Sequence, residues 1–478
     1  MLKQENTQRI YINGTWTGSE LEGIVVKNPA TLEEIATVPK AGTKETSKAI
    51  EAASEAFRSW AALTAAERAH YLHKLFELMQ RNEEELAKTM TLEMGKPLNE
   101  AIGEIRYAAS FIEWYAEEGK RIYGQTIPAA RSNQRMMVLK QPIGVVAAIT
   151  PWNFPAAMIT RKLGPALASG CTIVIKPASA TPLTAIKIVE LCEGAGIPKG
   201  VVNLVTGKAS EISAEVMRNP LVKKVTFTGS TEVGKQLMEQ AAQNVTKLSL
   251  ELGGHAPFIV LNDADVDKAV QGAIASKFRN AGQTCICANR FYVQNEIYEP
   301  FVEKFAEAAS KLKVGNGLTE DTDIGPLINE EGYKKVEEHV ADALSKGARI
   351  ATGGEGDIQQ GHYYKPTVLK DVQNNMVIMK DETFGPVAPV QRFHSVEEAV
   401  HLANDIELGL AAYVYTENLS NGVQVAEGLE YGIIGWNDGV PSAAQAPFGG
   451  VKESGLGREG GHQGIEEYLE IKYISIGL

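Results

Sequence analysis

The sequence has few cysteines and few histidines, which argues against a fold stabilised by disulfides or by zinc. Its four cysteines, Cys171, Cys192, Cys285 and Cys287, are too few and too unevenly placed for a disulfide framework in 478 residues. The eight histidines are scattered, and no pair of His or Cys ligands has a second pair at zinc-site spacing. We therefore expect a reducing, cytoplasmic setting and no metal.

Long hydrophobic runs and excess positive charge are also missing. The chain starts with polar residues, Met1–Asn6, and apolar runs such as Gly144–Ile149 are far shorter than a membrane-spanning helix. Lys and Arg number 47 against 59 Asp and Glu, a formal net charge of −12. The electrostatic field of a negatively charged protein repels polyanions and anionic lipid, so we expect neither nucleic acid nor membrane as a partner.

The composition is otherwise that of an ordinary globular protein, with 44% hydrophobic and 22% charged residues. A chain of 478 residues is too long for one hydrophobic core, so we expect at least two domains. Helical periodicity runs from about Thr46 to Arg121. From Pro142 to about Ala241, short apolar strands alternate with single helices. This pattern predicts a doubly wound, Rossmann-like parallel sheet with helices on both faces.

A second strand and helix alternation, from Phe258 to about Trp436, predicts a second α/β domain. We place a dinucleotide-binding domain at 1–122 and 142–252 and a catalytic domain at 253–453. Strand-like segments at Arg135–Lys140 and Tyr473–Ile476 lie outside both alternations. Because exposed strand edges tend to pair, we interpret 123–141 and 454–478 as a small β flap for homo-oligomerisation, as a dimer or tetramer.

No Gly-x-Gly-x-x-Gly fingerprint is present in the predicted nucleotide domain. Gly194-Ala195-Gly196 follows a helix rather than a strand and is better explained as a helix-ending turn. At Phe227–Gly234 a strand passes through glycine into a helix, and the N–H groups there suit a pyrophosphate. From this segment alone, an ordinary helix capped by Ser230 explains the pattern equally well.

Two reactive side chains stand in unusual surroundings. Cys285 follows Ala281 and Gly282, with polar Gln283 and Thr284 before it, which predicts an exposed turn rather than a core strand. A buried, inert thiol is the alternative.

Glu251 interrupts an apolar strand just before Gly253-Gly254. Desolvation there would raise its proton affinity toward that of a general base, although a salt-bridged strand-end glutamate fits as well.

The whole chain resembles the aldehyde dehydrogenase superfamily, through motifs in matching order. These are Pro151–Pro155, Lys176–Ser179, Phe227–Ser230, Leu250–Gly254, Gly282–Cys285, Glu382–Pro386 and Pro447–Gly450. The resemblance implies that Cys285 is the nucleophile that forms a thiohemiacetal and then a thioester. It implies that the Asn153 amide and the Cys285 N–H stabilise the oxyanion, and that Glu251 activates water. Lys162 and Glu459 match the proton-relay positions of the family.

The resemblance also implies a nicotinamide dinucleotide site, formed by Trp152, Lys176, Ser179, Gly229, Ser230, Leu252, Glu382 and Phe384. Many NAD-preferring relatives carry glutamate where Ser179 stands, and that carboxylate would repel a 2′-phosphate. Serine beside Lys176 leaves room and positive charge, so we expect NADP, with NAD also accepted.

Within the superfamily, the motifs most resemble succinate-semialdehyde dehydrogenases, which oxidise an aldehyde that carries a carboxylate. Arg161, Arg279 and Ser442 match the carboxylate-binding positions of that subgroup. As alternatives, Arg161 is a helix-surface charge and Arg279 a salt-bridge partner. The resemblance extends to lactaldehyde, glutarate-semialdehyde and broad-range aldehyde dehydrogenases, and Ala443-Ala444 make the Ser442 loop rather apolar.

Three further alternatives stay open at this level. Cys287 either closes a regulatory disulfide with Cys285, over a strained short loop, or is a bystander thiol. A thiol esterase or acyl transferase would use Cys285 and Glu251 without binding a nucleotide. A catalytically silent structural protein would have no need of Cys285, Glu251 and Asn153 together.

Overall fold

The structure is a computed structural model that describes residues 9–358 and 361–478. The helices are α1 Thr43–Ala61, α2 Ala65–Arg81, α3 Glu83–Met94, α4 Leu98–Glu118, α5 Ala157–Ser169, α6 Leu183–Gly194, α7 Ala209–Arg218, α8 Thr231–Ala241, α9 Val266–Phe278, α10 Tyr298–Ser310, α11 Glu330–Ser345, α12 Val396–Asn404, α13 Leu419–Gly428 and α14 Gly461–Glu466.

The strands up to the middle of the chain are β1 Ile10–Ile12, β2 Thr15–Thr17, β3 Gly23–Lys27, β4 Glu34–Pro39, β5 Gln125–Ile127, β6 Gln134–Pro142, β7 Val145–Ile149, β8 Thr172–Lys176, β9 Val202–Leu204, β10 Val222–Thr228, β11 Lys247–Glu251 and β12 Ala256–Val260. The later strands are β13 Ala288–Gln294, β14 Arg349–Thr352, β15 Gly356–Asp357, β16 Tyr363–Tyr364, β17 Thr367–Lys370, β18 Val387–Phe393, β19 Leu408–Gly409, β20 Ala411–Tyr415, β21 Ile433–Trp436, β22 Val451–Lys452, β23 Gly455–Leu456 and β24 Leu469–Gly477.

The first large sheet has the strand order β2-β1-β9-β8-β7-β10-β11-β23. Its central strands β9, β8, β7, β10 and β11 are parallel, whereas the β1–β2 hairpin and β23 add antiparallel edges. Val146 and Ala148 of β7 belong to one apolar core, while Val145 and Ala147 belong to another. Helices therefore cover both faces, and the predicted doubly wound sheet is confirmed.

The second large sheet has the order β14-β17-β18-β13-β12-β20-β21 and is parallel except for β14. It has its own core, in which the Phe258 ring packs in a tilted arrangement against Phe291 and Tyr413, with ring centres 5.1 and 5.8 Å away. The predicted second α/β unit is therefore present. Gly253 and Gly254 connect the two sheets, between β11 and β12.

The two predicted flap segments pair with each other. Strand β24 runs antiparallel to β6 along its whole length, and β5 adds a third strand. Several apolar side chains on this small sheet point outward, including Ile471, which is 75% exposed. Its role in oligomerisation stays a prediction.

The C-terminal part of the chain returns to the first unit before the flap begins. Strand β23 pairs with the end of β11, and Ala444, Ile465 and Tyr468 pack into a core of the first sheet. The first unit thus includes residues on both sides of the predicted boundary at 453, and the boundaries themselves stay a prediction. Within the two described ranges, no helix is long and apolar enough to cross a membrane.

Candidate active site

Cys285 lies in a turn between the two large sheets, just before β13. The turn begins in an irregular stretch where Asn280 and Ala281 have φ of 54° and 55°. These left-handed conformations are uncommon for side chains other than glycine and mark a locally constrained backbone. A Cβ at Gly282 would lie 2.2 Å from the Gly385 carbonyl, so only glycine fits there. The predicted turn is present, although the thiol is only partly exposed.

A cavity of about 310 Å³ opens beside the Cys285 thiol. Its apolar wall includes Phe154, Met158 and Phe448. Its polar lining includes all three side chains that the sequence nominated for a substrate carboxylate: Arg161, Arg279 and Ser442. These residues come from α5, from the turn after α9 and from the loop after β21, and only the fold brings them together.

Several donors in this cavity have no hydrogen-bond partner among the described residues. They are Nε and Nη1 of Arg161, Nε of Arg279 and Oγ of Ser442. The predicted alternative of a surface charge does not apply to Arg161, which is buried, with its guanidinium 4.1 Å from the Phe448 ring centre. Arg279 has no acidic partner within ion-pair distance in the part of the chain described. Unpartnered donors and two guanidinium groups suit an anionic ligand.

The Cys285 thiol is strongly disposed to remain protonated. Burial raises its pKa to about 12, although Arg161 opposes this shift and Glu382 and Glu251 add to it. At neutral pH the sulfur is therefore a thiol, and a nearby base is required to make the nucleophilic thiolate.

Glu251, at the end of β11, has the properties of such a base. Burial raises its pKa well above the ordinary value, and the nearby Glu459 raises it further. Lys162 and Arg161 act in the opposite direction. Oε2 of Glu251 has no hydrogen-bond partner among residues 9–358 and 361–478. The desolvation expected from the apolar strand is therefore present.

Lys162 and Glu459 are in direct contact beneath Glu251. Nζ of Lys162 donates to a Glu459 carboxylate oxygen and, at 2.6 Å, to Oγ1 of Thr228. Arg161 approaches the other Glu459 oxygen at 3.6 Å. The two predicted relay residues thus form a buried ion pair that adjoins the predicted base.

Asn153 is buried and its amide faces the Cys285 turn. Nδ2 donates to the Gln283 carbonyl at 3.0 Å, and Oδ1 has no partner among the described residues. The Asn153 carbonyl accepts from Nδ2 of Asn280 at 3.1 Å and from Nζ of Lys96 at 2.9 Å. These contacts fix the amide against the turn that carries the sulfur.

Sequence reasoning missed Lys96 and Glu104, which hold the Asn153 segment in place. They form a buried ion pair, and Glu104 also accepts from the N–H groups of Ala156 and Ala157 at 2.9 and 3.2 Å, at the start of α5. A carboxylate at a helix N-terminus is favourable. A lysine after glycine and a glutamate on an amphipathic helix carry no sequence signal for contacts about 50 residues away.

The residues nominated for the nucleotide lie around the ends of the first sheet. Ser230 caps α8, where its hydroxyl accepts from the Val233 N–H at 3.4 Å. Gly229 donates its N–H to the Glu251 carbonyl at 3.0 Å. Leu252 is buried against Gly234 of α8. The structure therefore contains the capped helix, and a pyrophosphate at its N-terminus stays a prediction.

Lys176 ends β8, and Ser179 lies in the segment that follows it. Burial lowers the pKa of Lys176 to about 8. Ser179 donates its hydroxyl to the Gly207 carbonyl at 3.2 Å.

Trp152, Phe384 and Glu382 lie between the sheets. The two rings meet edge to face, 5.5 Å between centres. Burial raises the pKa of Glu382 to about 8, and its Oε1 has no partner in the described chain. A buried acceptor without a partner fits a donor group on a bound dinucleotide.

Cys287 is buried and does not line the cavity. Its thiol contacts the carbonyls of Lys277 and Ala288 at 3.3 and 3.6 Å. All four cysteines are free thiols. Over residues 9–358 and 361–478, no group of three or more His, Cys, Asp or Glu side chains is arranged to hold a metal ion.

Comparison with known proteins gives one consistent result. The succinate-semialdehyde dehydrogenase (NADP+) of Escherichia coli K12 is 58% identical over 472 residues, 98% of each sequence. The glutarate-semialdehyde dehydrogenase of Pseudomonas putida KT2440 is 58% identical over 472 residues, again 98% of each. The crystal structure of an E. coli NADP-dependent enzyme superposes with a TM-score of 0.97, at 58% identity and 98% coverage of both chains. The profile of the aldehyde dehydrogenase family matches residues 16–474, and the chain belongs to the aldehyde dehydrogenase family.

Proposed function

We propose that this enzyme oxidises succinate semialdehyde to succinate, with NADP as the preferred hydride acceptor and NAD also accepted. The observation that carries the proposal is the cavity in which Cys285 shares one space with Arg161, Arg279 and Ser442. An aldehyde with a carboxylate at its far end would place its carbonyl carbon at the sulfur and its carboxylate at the unpartnered donors. The similarity to the NADP+-dependent succinate-semialdehyde dehydrogenase of E. coli supports the same substrate and cofactor.

NADP is favoured over NAD by the residues expected at the adenosine ribose. Ser179 is small and neutral, and Lys176 supplies a positive charge. A 2′-phosphate there would meet an attractive charge and no carboxylate. When bound, the dinucleotide supplies the acceptor for hydride.

The chemistry assigned to the protein begins with loss of the Cys285 proton to Glu251. The thiolate then adds to the aldehyde carbon to form a thiohemiacetal. The side-chain amide of Asn153 and the backbone N–H of Cys285 donate to the resulting oxyanion. Once hydride has left the carbon, the acyl group remains on the sulfur as a thioester.

Hydrolysis of the thioester uses the same carboxylate. Glu251 takes a proton from water, the hydroxide adds to the thioester carbon, and the carbon–sulfur bond breaks to release the acid. The Lys162–Glu459 pair carries the released proton away from Glu251. Their direct contact, and the effect of both on the pKa of Glu251, support this role.

A second candidate substrate is glutarate semialdehyde, which is one methylene longer. The similarity to the glutarate-semialdehyde dehydrogenase of P. putida favours it, since this relative and the E. coli protein are both 58% identical to the chain. One methylene changes binding by about 1–3 kcal/mol. We therefore expect both aldehydes to be oxidised, with different values of kcat/KM. Lactaldehyde and broad-range aldehydes lack the carboxylate that two guanidinium groups suit. A thiol esterase or acyl transferase would need no dinucleotide site.

We also propose that the protein is a cytoplasmic homo-oligomer, a dimer or tetramer, assembled through the β5, β6 and β24 sheet. The exposed apolar residues Leu139, Ile471 and Tyr473 on that sheet support burial against a second copy.

The thiol of Cys287 is proposed to trap Cys285 as a disulfide under oxidation. Because Cys287 contacts carbonyls of neighbouring segments, this requires the turn to rearrange. Peroxide inactivation that dithiothreitol reverses in the parent, but not in Cys287→Ala, would support the role. Identical behaviour of both would refute it.

A panel of aldehydes assayed with both cofactors tests the main proposal. Initial rates are followed through the absorbance of the reduced nicotinamide, for succinate semialdehyde, glutarate semialdehyde, lactaldehyde and hexanal. We expect the highest kcat/KM for succinate semialdehyde with NADP, and no turnover in Cys285→Ala. The matched control is Cys192→Ala, a buried cysteine away from the cavity. A higher kcat/KM for hexanal, or turnover without the Cys285 sulfur, contradicts the proposal.

A further inference from the structure

The side chain of Asn280 links the Asn153 segment to the turn that carries Cys285. Its Nδ2 donates to the Asn153 carbonyl at 3.1 Å and to the Gln283 carbonyl at 3.0 Å. The Gln283 carbonyl also accepts from Nδ2 of Asn153, at 3.0 Å. Asn153 is therefore bound to the turn through both its backbone and its side chain. One carbonyl, two residues before the sulfur, receives both amides.

The backbone of Asn280 is itself fixed. Its φ is 54°, in the left-handed region that asparagine tolerates better than most residues other than glycine. Its N–H donates to Oε2 of Glu100 at 2.9 Å, and its carbonyl accepts from the N–H and from Nε2 of Gln283, at 3.0 and 3.1 Å. Asn280 and Gln283 are each 1% exposed, so these bonds are shielded from water. The Nδ2 group therefore extends from a rigid part of the turn.

The hydrogen bond from Asn153 to Gln283 determines where the second amide hydrogen of Asn153 points. A side-chain amide carries two hydrogens on its nitrogen. The Gln283 carbonyl uses one of them, which leaves the other for an oxyanion beside Cys285. An oxyanion hole is effective when its donors are fixed before the charge develops. The two hydrogen bonds of Asn280 supply that fixation, because they hold the Asn153 and Gln283 carbonyls relative to each other.

We infer that Asn280 is a positioning residue for the oxyanion hole and that it acts on the reaction through Asn153. The inference rests on the proposed function, in which the Asn153 amide and the Cys285 N–H stabilise the oxyanion. Asn280 is not part of the lining of the cavity beside Cys285, so its effect on the aldehyde is indirect. It transfers no proton and forms no bond to the substrate.

Two side chains donate to the Asn153 carbonyl, and they differ in what they hold together. Lys96, whose Nζ is 2.9 Å away, lies just before α4, which packs against α5 in the first unit. Asn280 follows α9 of the second unit. Lys96 therefore holds the Asn153 segment within its own half of the molecule, whereas Asn280 holds it against the half that carries Cys285. Without the Asn280 side chain, the segment stays folded but is less firmly placed relative to the sulfur.

The variant Asn280→Gly tests this role with little disturbance of the backbone. Glycine adopts positive φ without strain and keeps the N–H for Glu100 and the carbonyl for Gln283, so the change removes only the side chain. We expect kcat/KM to fall about 10- to 100-fold, by the same factor for succinate semialdehyde and hexanal, since both aldehydes form an oxyanion. Asn13→Gly is the matched control, because Asn13 is exposed in the β1–β2 hairpin with φ of 51°. It should change neither value by more than about twofold.

A double-mutant cycle shows whether Asn280 acts through Asn153. Asn153→Ala removes an oxyanion donor and should lower kcat/KM about 100- to 1,000-fold. In that background, Asn280→Gly should lower kcat/KM by no more than about twofold further, since no amide is left to position.

Alkylation by iodoacetamide gives a second readout. Cys285 is the one partly exposed thiol among the four cysteines, and displacement of iodide by its sulfur develops no oxyanion. The rate of alkylation should therefore be the same in Asn280→Gly as in the parent, whereas displacement of the whole turn would change it.

Urea unfolding checks that each variant is folded. If Asn280→Gly does not fold, Asn280→Asp replaces it. Aspartate has nearly the same shape as asparagine and also tolerates positive φ, but it offers an acceptor where Nδ2 donates. It should give the same equal loss for both aldehydes and the same small effect in the Asn153→Ala background.

Each result bears on the inference. An unchanged kcat/KM in Asn280→Gly overturns it, as does a loss that persists in full in the Asn153→Ala background or a changed rate of alkylation. A fall limited to succinate semialdehyde also overturns it, because the change would then act through the neighbouring Arg279. All of these outcomes leave the proposed function intact. If Asn153→Ala itself keeps the kcat/KM of the parent, the oxyanion hole of the proposed function fails, and the inference fails with it.

Discussion

Replacement of Arg279 by methionine should separate substrates that carry a carboxylate from substrates that do not. Methionine keeps much of the length and apolar volume of the side chain but removes the guanidinium. Arg279 lines the cavity, its Nε has no partner among the described residues, and its contact with Phe154 is a cation–π interaction at 5.6 Å. The change therefore removes a donor for the substrate and breaks no ion pair between described residues, although Arg279 together with Lys96 opposes the rise in the pKa of Glu100.

The size of the effect follows from the bond that is lost. A hydrogen bond to a charged group contributes about 1.5–3 kcal/mol, and about 1.4 kcal/mol corresponds to a factor of ten. We expect kcat/KM for succinate semialdehyde to fall about 10- to 150-fold. Arg279 also lowers the pKa of Cys285, but that effect acts on every substrate alike. The ratio of kcat/KM for succinate semialdehyde to that for hexanal isolates the contribution of the carboxylate.

Steady-state rates with NADP, read through the absorbance of the reduced cofactor, give both constants. Arg106→Met is the matched control, because Arg106 is exposed and paired with Glu83 outside the cavity. It should change neither substrate by more than about twofold, as expected for a surface ion pair. An equal fall for succinate semialdehyde and hexanal in Arg279→Met would refute the carboxylate site.

Four other changes test separate parts of the site. Glu251→Gln should lower turnover about 100- to 10,000-fold, because it removes the proposed base for both the Cys285 thiol and the hydrolytic water; turnover close to that of the parent would contradict the role. Ser179→Glu should reduce kcat/KM for NADP about tenfold or more through repulsion of the 2′-phosphate, with little change for NAD, and an equal effect on both would count against the assignment. Because burial lowers the pKa of Lys176 to about 8, its charged form is lost as pH rises through 8, so kcat/KM for NADP should decline above that pH while the value for NAD does not. Lys96→Met removes the ion-pair partner of the buried Glu104, which keeps only its backbone donors, and should cost about 3–5 kcal/mol in urea unfolding, whereas exposed Lys88→Met should cost almost nothing.

Short-range sequence signals predicted the fold well. Continuous apolar runs such as Val145–Ile149 and their alternation with helices identified the first sheet, because a strand buried on both faces must be apolar throughout. The helix Thr231–Ala241 begins directly after Ser230 because serine is a good N-cap. The strand-like pattern also identified both flap segments as strands, whereas the pairing of the two with each other was not predicted.

Only part of the candidate site could be predicted from the sequence. Motifs identified Cys285 and Glu251 because local backbone and apolar context are visible in a short window of sequence. The capping of α5 by Glu104 and the support of the Asn153 segment by Lys96 depend on contacts between helices, which no local pattern encodes. The raised pKa of Cys285 likewise depends on how deeply the turn is buried. That burial comes from the packing of the two sheets on either side of the turn, which a local sequence pattern does not encode.

The proposed nucleophile and the predicted base belong to different halves of the molecule. Cys285 precedes a strand of the second sheet, whereas Glu251 ends a strand of the first. The chain passes between the two halves at Gly253-Gly254 and in the returning C-terminal segment, and hydrogen bonds such as that from Asn153 to Gln283 also link them. Arg161 and Arg279 are divided between the halves in the same way. A small rotation of one half against the other would thus change the distance between nucleophile and base and the spacing of the two arginines simultaneously. A ligand bound by both arginines would resist that rotation. In the proposed reaction, binding of the substrate carboxylate by both arginines would therefore help to align the aldehyde carbon with the sulfur and the base.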